Sequence, residues 1–332
     1  MKKLLFMFAL LMSALAFTAC SSDDDGGVII NKGLDTAQVK SSLIFKQVYF
    51  TGVPSYFWKD GFYELVNNGD TTVYLDGVVL GIVERGWGYS YTPVPSLWIE
   101  NGEQRYPMYN VTAYFPGTGK DYPLAPGKNI VIATSALNWT VEHPTDTESG
   151  DVASPVNLEK ADWEIAMGSL STSDTDNPDV PNMLVAYKSM GLDFMPAANG
   201  QALMLAKFPN GKAVEDYAKD ANNFSLAPGT IYPKYLMINP DKVIDVINIV
   251  SPIISERYQT VFVKDDEGFT FVNAGVDQGG QYMSAAYCGK ALRRKVYKIV
   301  GNKVKYSDTN NSTKDFVTCD PIPWQVFTEI DK

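Results

Sequence analysis

From residue 42 onward, short runs of valine, isoleucine, leucine and aromatic residues alternate with clusters of glycine, proline, asparagine and aspartate. Runs of that length and type predict β-strands separated by turns. "SLIFKQVYFTG" (42–52) and "FYELVNNG" (62–69) are the first two. "TTVYLDGVVLG" (71–81) adds another, with Asp76-Gly77 as a turn or bulge. In "PLAPGKNIVIAT" (123–134) a Pro-Gly turn leads into a buried strand. "GQALMLAKFPNGKAVEDYA" (200–218) reads as a hairpin about Asn210-Gly211, and "KALRRKVYKIVGNKVKYSD" (290–308) as one about Gly301-Asn302. One short helix is predicted over 240–251. Asn239 would cap it, Pro240 and Asp241 suit its first turn, and Val243, Ile244, Ile247 and Val250 form its apolar stripe before Pro252. Many short strands and little helical period predict a mainly β chain, a β-sandwich.

The first 42 residues have a different pattern. Lys2 and Lys3 precede an apolar stretch, Leu4 to Phe17, broken only by Ser13. This reads as a signal peptide over 1–19, too short for the roughly 20 apolar residues of a membrane-spanning helix. Phe17-Thr18-Ala19-Cys20 resembles a bacterial lipobox, which implies lipidation of Cys20 and anchoring in a membrane. The acidic tract Ser21 to Asp25 resembles the surface-export signal of Bacteroidota lipoproteins, the favoured reading over a plain solvated linker. Residues 20–42 are therefore expected as a flexible tether and 43–332 as one sandwich domain with insertions.

Composition narrows the function. The chain has a formal charge of −10, and losing Lys2 and Lys3 with the leader makes it more acidic. That argues against nucleic acid as a partner. A single histidine, His143, excludes multi-histidine metal sites and lies in a polar loop better suited to the surface than to catalysis. After Cys20 only Cys288 and Cys319 remain; outside the cytoplasm they could form a disulfide or stay as two buried thiols. The chain carries no Walker loop, HExxH, GxSxG or CxxC motif, and no cofactor is called for.

The order "IFKQVYFTG", "FYELVNNGD", "VYLDGVVLG", "PLAPGKNIVIA", "GQALMLAKFPNGKAVEDY" and "GKALRRK" resembles a lamin-tail domain, an immunoglobulin-like sandwich. More closely, "DNPDVPNM" and "GKALRRKVYKIVGNKVKYSDTNNSTKDF" are similar to the Bacteroidota lipoproteins of domain-of-unknown-function family 4876, over roughly residues 43 to 330. That resemblance implies fold and cell-surface location and carries over no catalytic residue.

Candidate chemistry is sparse. Glu64 lies on a predicted strand without an identifiable partner, which favours a structural hydrogen-bonding role over catalysis. Asp174, Asp176 and Asp179 could ligate calcium, although Pro178 breaks the EF-hand pattern and an Asp-rich turn explains them as well. Arg293 and Arg294, pointing to opposite faces of a strand, could pair with Asp308 or Asp315 or hold an anion. Trp58, Trp87, Tyr91 and Trp98, if exposed, could stack on sugars or an apolar ligand. The expectation is a non-enzymatic, surface-exposed outer-membrane lipoprotein that binds a ligand or partner. The family context implies an accessory to a TonB-dependent outer-membrane receptor. An extracellular hydrolase and a structural or adhesive envelope protein are the alternatives.

Overall fold

The computed structural model describes residues 29–30, 42–54, 59–84, 94–95, 97–141, 153–189, 193–231 and 234–331. Its principal strands begin with β1 (Leu43–Tyr49), β2 (Phe62–Asn67), β3 (Val78–Val83) and β4 (Tyr106–Tyr114). Next come β5 (Asn129–Ala133), β6 (Trp163–Ile165), β7 (Asn182–Lys188) and β8 (Leu203–Lys207). Helix α1 (Gly211–Lys219) precedes β9 (Phe224–Leu226), β10 (Lys234–Ile238) and β11 (Val243–Ile247). The last two are β12 (Ala291–Arg294) and β13 (Phe316–Cys319). All belong to one sheet, ordered β11-β8-β3-β4-β7-β6-β5-β2-β1-β12-β13, with β10 joined to β4 and β9 to β10. Within it β6 runs parallel to β5 and β7, and the other pairs are antiparallel. The chain is mainly β, as its pattern predicts.

The sheet is open but curled, so its two halves face each other over a shared core. Phe45, Tyr63, Leu65 and Ile132 from one half pack in one cluster with Leu80, Phe115, Leu205 and Ile247 from the other. The curl brings edge strand β11 back beside β1, where the Phe45 N–H donates to Asp245 Oδ2 (2.7 Å) instead of to a strand carbonyl. A register shift between Phe45 and Gln47 accompanies this contact. It changes the parity of β1: Leu43 and Phe45 face the core before it, Val48 and Phe50 after it.

The outer faces are covered separately. Val214 of α1, with Leu236 and Ile238 of β10, covers β3, β4 and β8. Trp139, Val156 and Leu158 cover β2 and β5. A hairpin of Val296–Val300 and Lys303–Tyr306, with Phe327, covers Ile44 and Val66. Ile29–Ile30, within the expected tether, pair with that hairpin. Among the described residues no helix is long and apolar enough to cross a membrane.

Two local expectations are corrected. Over 240–251 the chain forms a single 3-10 turn, Pro240–Lys242, and then β11. Its β-branched residues are buried on both strand faces, so the alternation that marks a half-exposed strand is missing. Asn210-Gly211 does not turn a hairpin. Asn210 caps α1, its Oδ1 accepting from the Ala213 N–H (2.8 Å). The turn at Asp76-Gly77, the Pro-Gly turn before β5 and the hairpin at Gly301 form as expected.

Candidate functional site

Strand β4 is preceded by a short helix, Leu97–Glu100, and a polar loop, Asn101 to Arg105. This loop faces β9 and Pro228 across an open groove of about 580 Å³. Arg105 organises it. Its Nε donates to Glu103 Oε1 (3.0 Å) and its Nη2 to Glu103 Oε2 (3.1 Å), a bidentate pair. Nη2 also reaches Ser225 Oγ (2.8 Å), tying the loop to β9. Burial pushes the Glu103 carboxyl upward, but its bonds from Arg105 and the loop N–H groups outweigh that and hold it below its usual range. Trp98 lines the groove yet is only 3% exposed, its ring meeting Tyr235 edge-on at 5.5 Å. Its indole N–H is buried and has no acceptor among the described residues. Trp98 is therefore buried and is no exposed stacking platform.

The other predicted residues are distributed across the molecule. Cys20, Trp58, Trp87, Tyr91 and His143 lie outside the described residues. Arg293 and Arg294 do point to opposite faces, but neither is free to hold an anion. Arg293 forms a bidentate pair with Asp331, both bonds 2.7 Å. Arg294 is buried with Asp245 (2.5 Å), Asp308 (3.2 Å) and Asp315 (3.5 Å), and it also donates to the carbonyls of Phe45 and Ser307. Three carboxylates share one guanidinium there, and burial pushes Asp245 up to about 7.

Asp174, Asp176 and Asp179 serve the backbone and one another's loop. Asp174 accepts from the Met167 N–H (2.7 Å) and Asp176 from Asn182 Nδ2 (2.8 Å), while the Asp179 N–H donates to Asn177 Oδ1 (3.1 Å). Among the described residues no group of three acidic, histidine or cysteine side chains is placed to hold a metal ion. Cys288 and Cys319 are both free and half-buried. Cys319 stands opposite Ala291, whereas Cys288 belongs to the turn before β12, so the two are not in cross-strand register. Burial pushes the Cys319 thiol up to about 12.

Glu64 has partners that the sequence did not single out. On the outer face of the sheet its Oε1 accepts from Lys46 Nζ (2.8 Å) on β1 and from Asn129 Nδ2 (2.5 Å) on β5. The signal for Lys46 was present as a lone cation within the apolar run "LIFKQVYF". The C-terminal residues 320–331 cross this face as a strap. Lys46 Nζ donates to the Gln325 carbonyl (2.7 Å) and lies 5.4 Å from the centre of the Phe327 ring. Arg293 stacks on the same ring at 4.9 Å, and Trp324 Nε1 donates to Asp162 (3.0 Å). Burial lowers the Lys46 amine against the opposing pull of Glu64, and it raises Glu64 against that of Lys46.

Three further carboxyls matter to stability. Asp60, buried under Tyr49 and Ser154, is pushed by burial up to about 7. Asp193 is pushed up to about 8, by burial and then by the charge of Asp174; its Oδ2 has no partner. Asp76 is also buried, but N–H groups of Asp121, Gly119 and Tyr122 bond it and hold it below its usual value.

No curated protein is significantly similar in sequence. The fold is similar to that of a DUF4876 family protein from Bacteroides thetaiotaomicron VPI-5482, known from its crystal structure. The TM-score is 0.65 at 24% identity, covering 88% of this chain and 74% of that one. The family model described as "Protein of unknown function (DUF4876)" matches residues 125–321, which include Asn129, Ser225, Arg293 and Arg294. The chain therefore belongs to the DUF4876 family.

Proposed function

We propose that the protein is a lipid-anchored, surface-exposed outer-membrane lipoprotein that binds a ligand or partner without transforming it, as an accessory to a TonB-dependent uptake receptor. The observation that carries the binding reading is the open groove between the Asn101–Arg105 loop and β9, with a fixed guanidinium–carboxylate pair on its wall. Loops on a rigid sheet are the usual place for such a surface. The anchor reading rests on Phe17-Thr18-Ala19-Cys20 and the acidic tract after it. Two sheet halves facing one another over one core support the finer reading of an immunoglobulin-like, lamin-tail-like sandwich with long insertions.

Co-purification of tagged protein from outer membranes tests the partner. Recovery of a receptor that Arg105→Ala loses supports the proposal, and a clean monomer removes the receptor role. Protease shaving of intact cells tests exposure, with full protection counting against it. Cys20→Ala should move the protein out of the membrane fraction.

A further inference from the structure

The sheet holds an amine, a carboxyl and a carboxamide on three adjacent strands, all on one face. Lys46 Nζ and Asn129 Nδ2 share the same acceptor, Glu64 Oε1, so the two nitrogens lie within the sum of 2.8 and 2.5 Å of each other. The second carboxyl oxygen, Glu64 Oε2, is buried without a partner. The side chains of Lys46 and Glu64 are 3% and 0% exposed. The Gln325 carbonyl and the Phe327 ring of the strap close over the amine. A lysine–glutamate bridge alone would need no carboxamide, and burying such a pair stabilises little because desolvation offsets the attraction.

We propose that Lys46 and Asn129 form an intramolecular isopeptide bond, with Glu64 as the acid–base group. Burial lowers the Lys46 amine and raises the Glu64 carboxyl, each toward the neutral form that a nucleophilic nitrogen needs. A half-turn of the Asn129 carboxamide, a soft torsion, exchanges Nδ2 for Oδ1, and protonated Glu64 then donates to that oxygen and polarises Cγ. Lys46 Nζ attacks Cγ as Glu64 passes its proton to Oδ1, and the resulting Glu64 carboxylate takes a proton from Nζ. Glu64 gives that proton to Nδ2, the Cγ–Nδ2 bond breaks and ammonia leaves, and Oδ1 returns its proton to Glu64 as the carbonyl re-forms. One amide is exchanged for another, so the step needs no oxidant, reductant or cofactor. Holding amine and amide on one shared carboxyl oxygen supplies the effective concentration that free side chains lack. The product joins β1 to β5 across β2, independently of whether the groove binds anything.

Intact mass spectrometry of the full mature protein, unfolded after purification, reads the bond directly. The expected mass is lower by one ammonia than that calculated for the mature polypeptide with its Cys20 lipid. A tryptic digest should yield one branched peptide containing Lys46 and Asn129, with no cleavage at Lys46. Glu64→Gln and Lys46→Arg should restore the full mass while circular dichroism stays native. Asn129→Asp should lose one water in place of ammonia, a change that a purely structural triad would not produce. A natively folded wild-type protein of full mass, with separate Lys46 and Asn129 peptides, would overturn the proposal. So would an ammonia loss mapped to other residues.

Discussion

Arg294 Nη2 lies 2.5 Å from Asp245 Oδ1, joining β12 to the strand at the opposite end of the sheet order. The pair fastens the curl in place of a continuous ladder. Asp245 accepts from the Phe45 N–H as well, so one carboxylate bonds both β1 and β12. Removing the guanidinium would leave Asp245, Asp308 and Asp315 buried without their common cation. Arg294→Met should therefore destabilise the fold by about 3–5 kcal/mol, measured by urea unfolding. Arg294→Lys should recover little, because a single ammonium cannot replace a fork that reaches two carbonyls and three acids.

Asp193 predicts how stability depends on pH. An unfolded aspartate releases its proton near pH ~3.9, whereas burial and Asp174 hold this one up to about 8 in the fold. Between those values the unfolded chain has lost a proton that the native chain keeps. Stability is thus full below the unfolded value and falls as pH rises toward about 8. Asp193→Asn should raise the thermal midpoint at pH 8 and leave it nearly unchanged at pH 4, as scanning calorimetry at the two values would read.

Gly77 tests the turn between the Leu75 region and β3. Its φ is +69°, and a Cβ there would stand 2.7 Å from the carbonyl oxygens of Asn210 and Phe208. Backbone, not a yielding side chain, blocks the space. Gly77→Ala should cost more than about 1 kcal/mol in denaturant unfolding.

These sites differ in how far the sequence discloses them. Asp76-Gly77 and the Pro-Gly turn before β5 are local signals, and they form as read. Val243 to Ile247 carried a helical spacing because a strand buried on both faces has no period-two pattern to show. Asn210-Gly211 fits a hairpin turn or a helix cap, and only the apolar face of Ala213, Val214 and Tyr217 against the sheet decides for the cap. The groove joins residues 98–105 to 225–228, and the triad joins 46, 64 and 129. Neither grouping has a spacing that a linear reading can detect, because register across strands creates it.

Within the groove, Arg105→Ala should abolish capture of the partner while leaving the unfolding midpoint within a degree or two, since its pair with Glu103 is partly solvated. Trp98→Phe keeps the packing against Tyr235 and removes only the N–H. That N–H is buried and unpaired among the described residues, so the change should leave both capture and the loop intact, as measured by retention on the partner and by near-ultraviolet circular dichroism.

The placement of β1 has a consequence for the order of assembly. This strand pairs with β2, which follows it directly, and with β12, where Leu292 lies opposite Val48. A chain made from its N-terminus completes β1 early and must hold one long hydrogen-bonding edge open until nearly all the rest has been synthesised. Such an edge invites pairing with other chains. Lys46, near the middle of β1, puts a charge into that edge, the kind of residue that disfavours pairing with other chains.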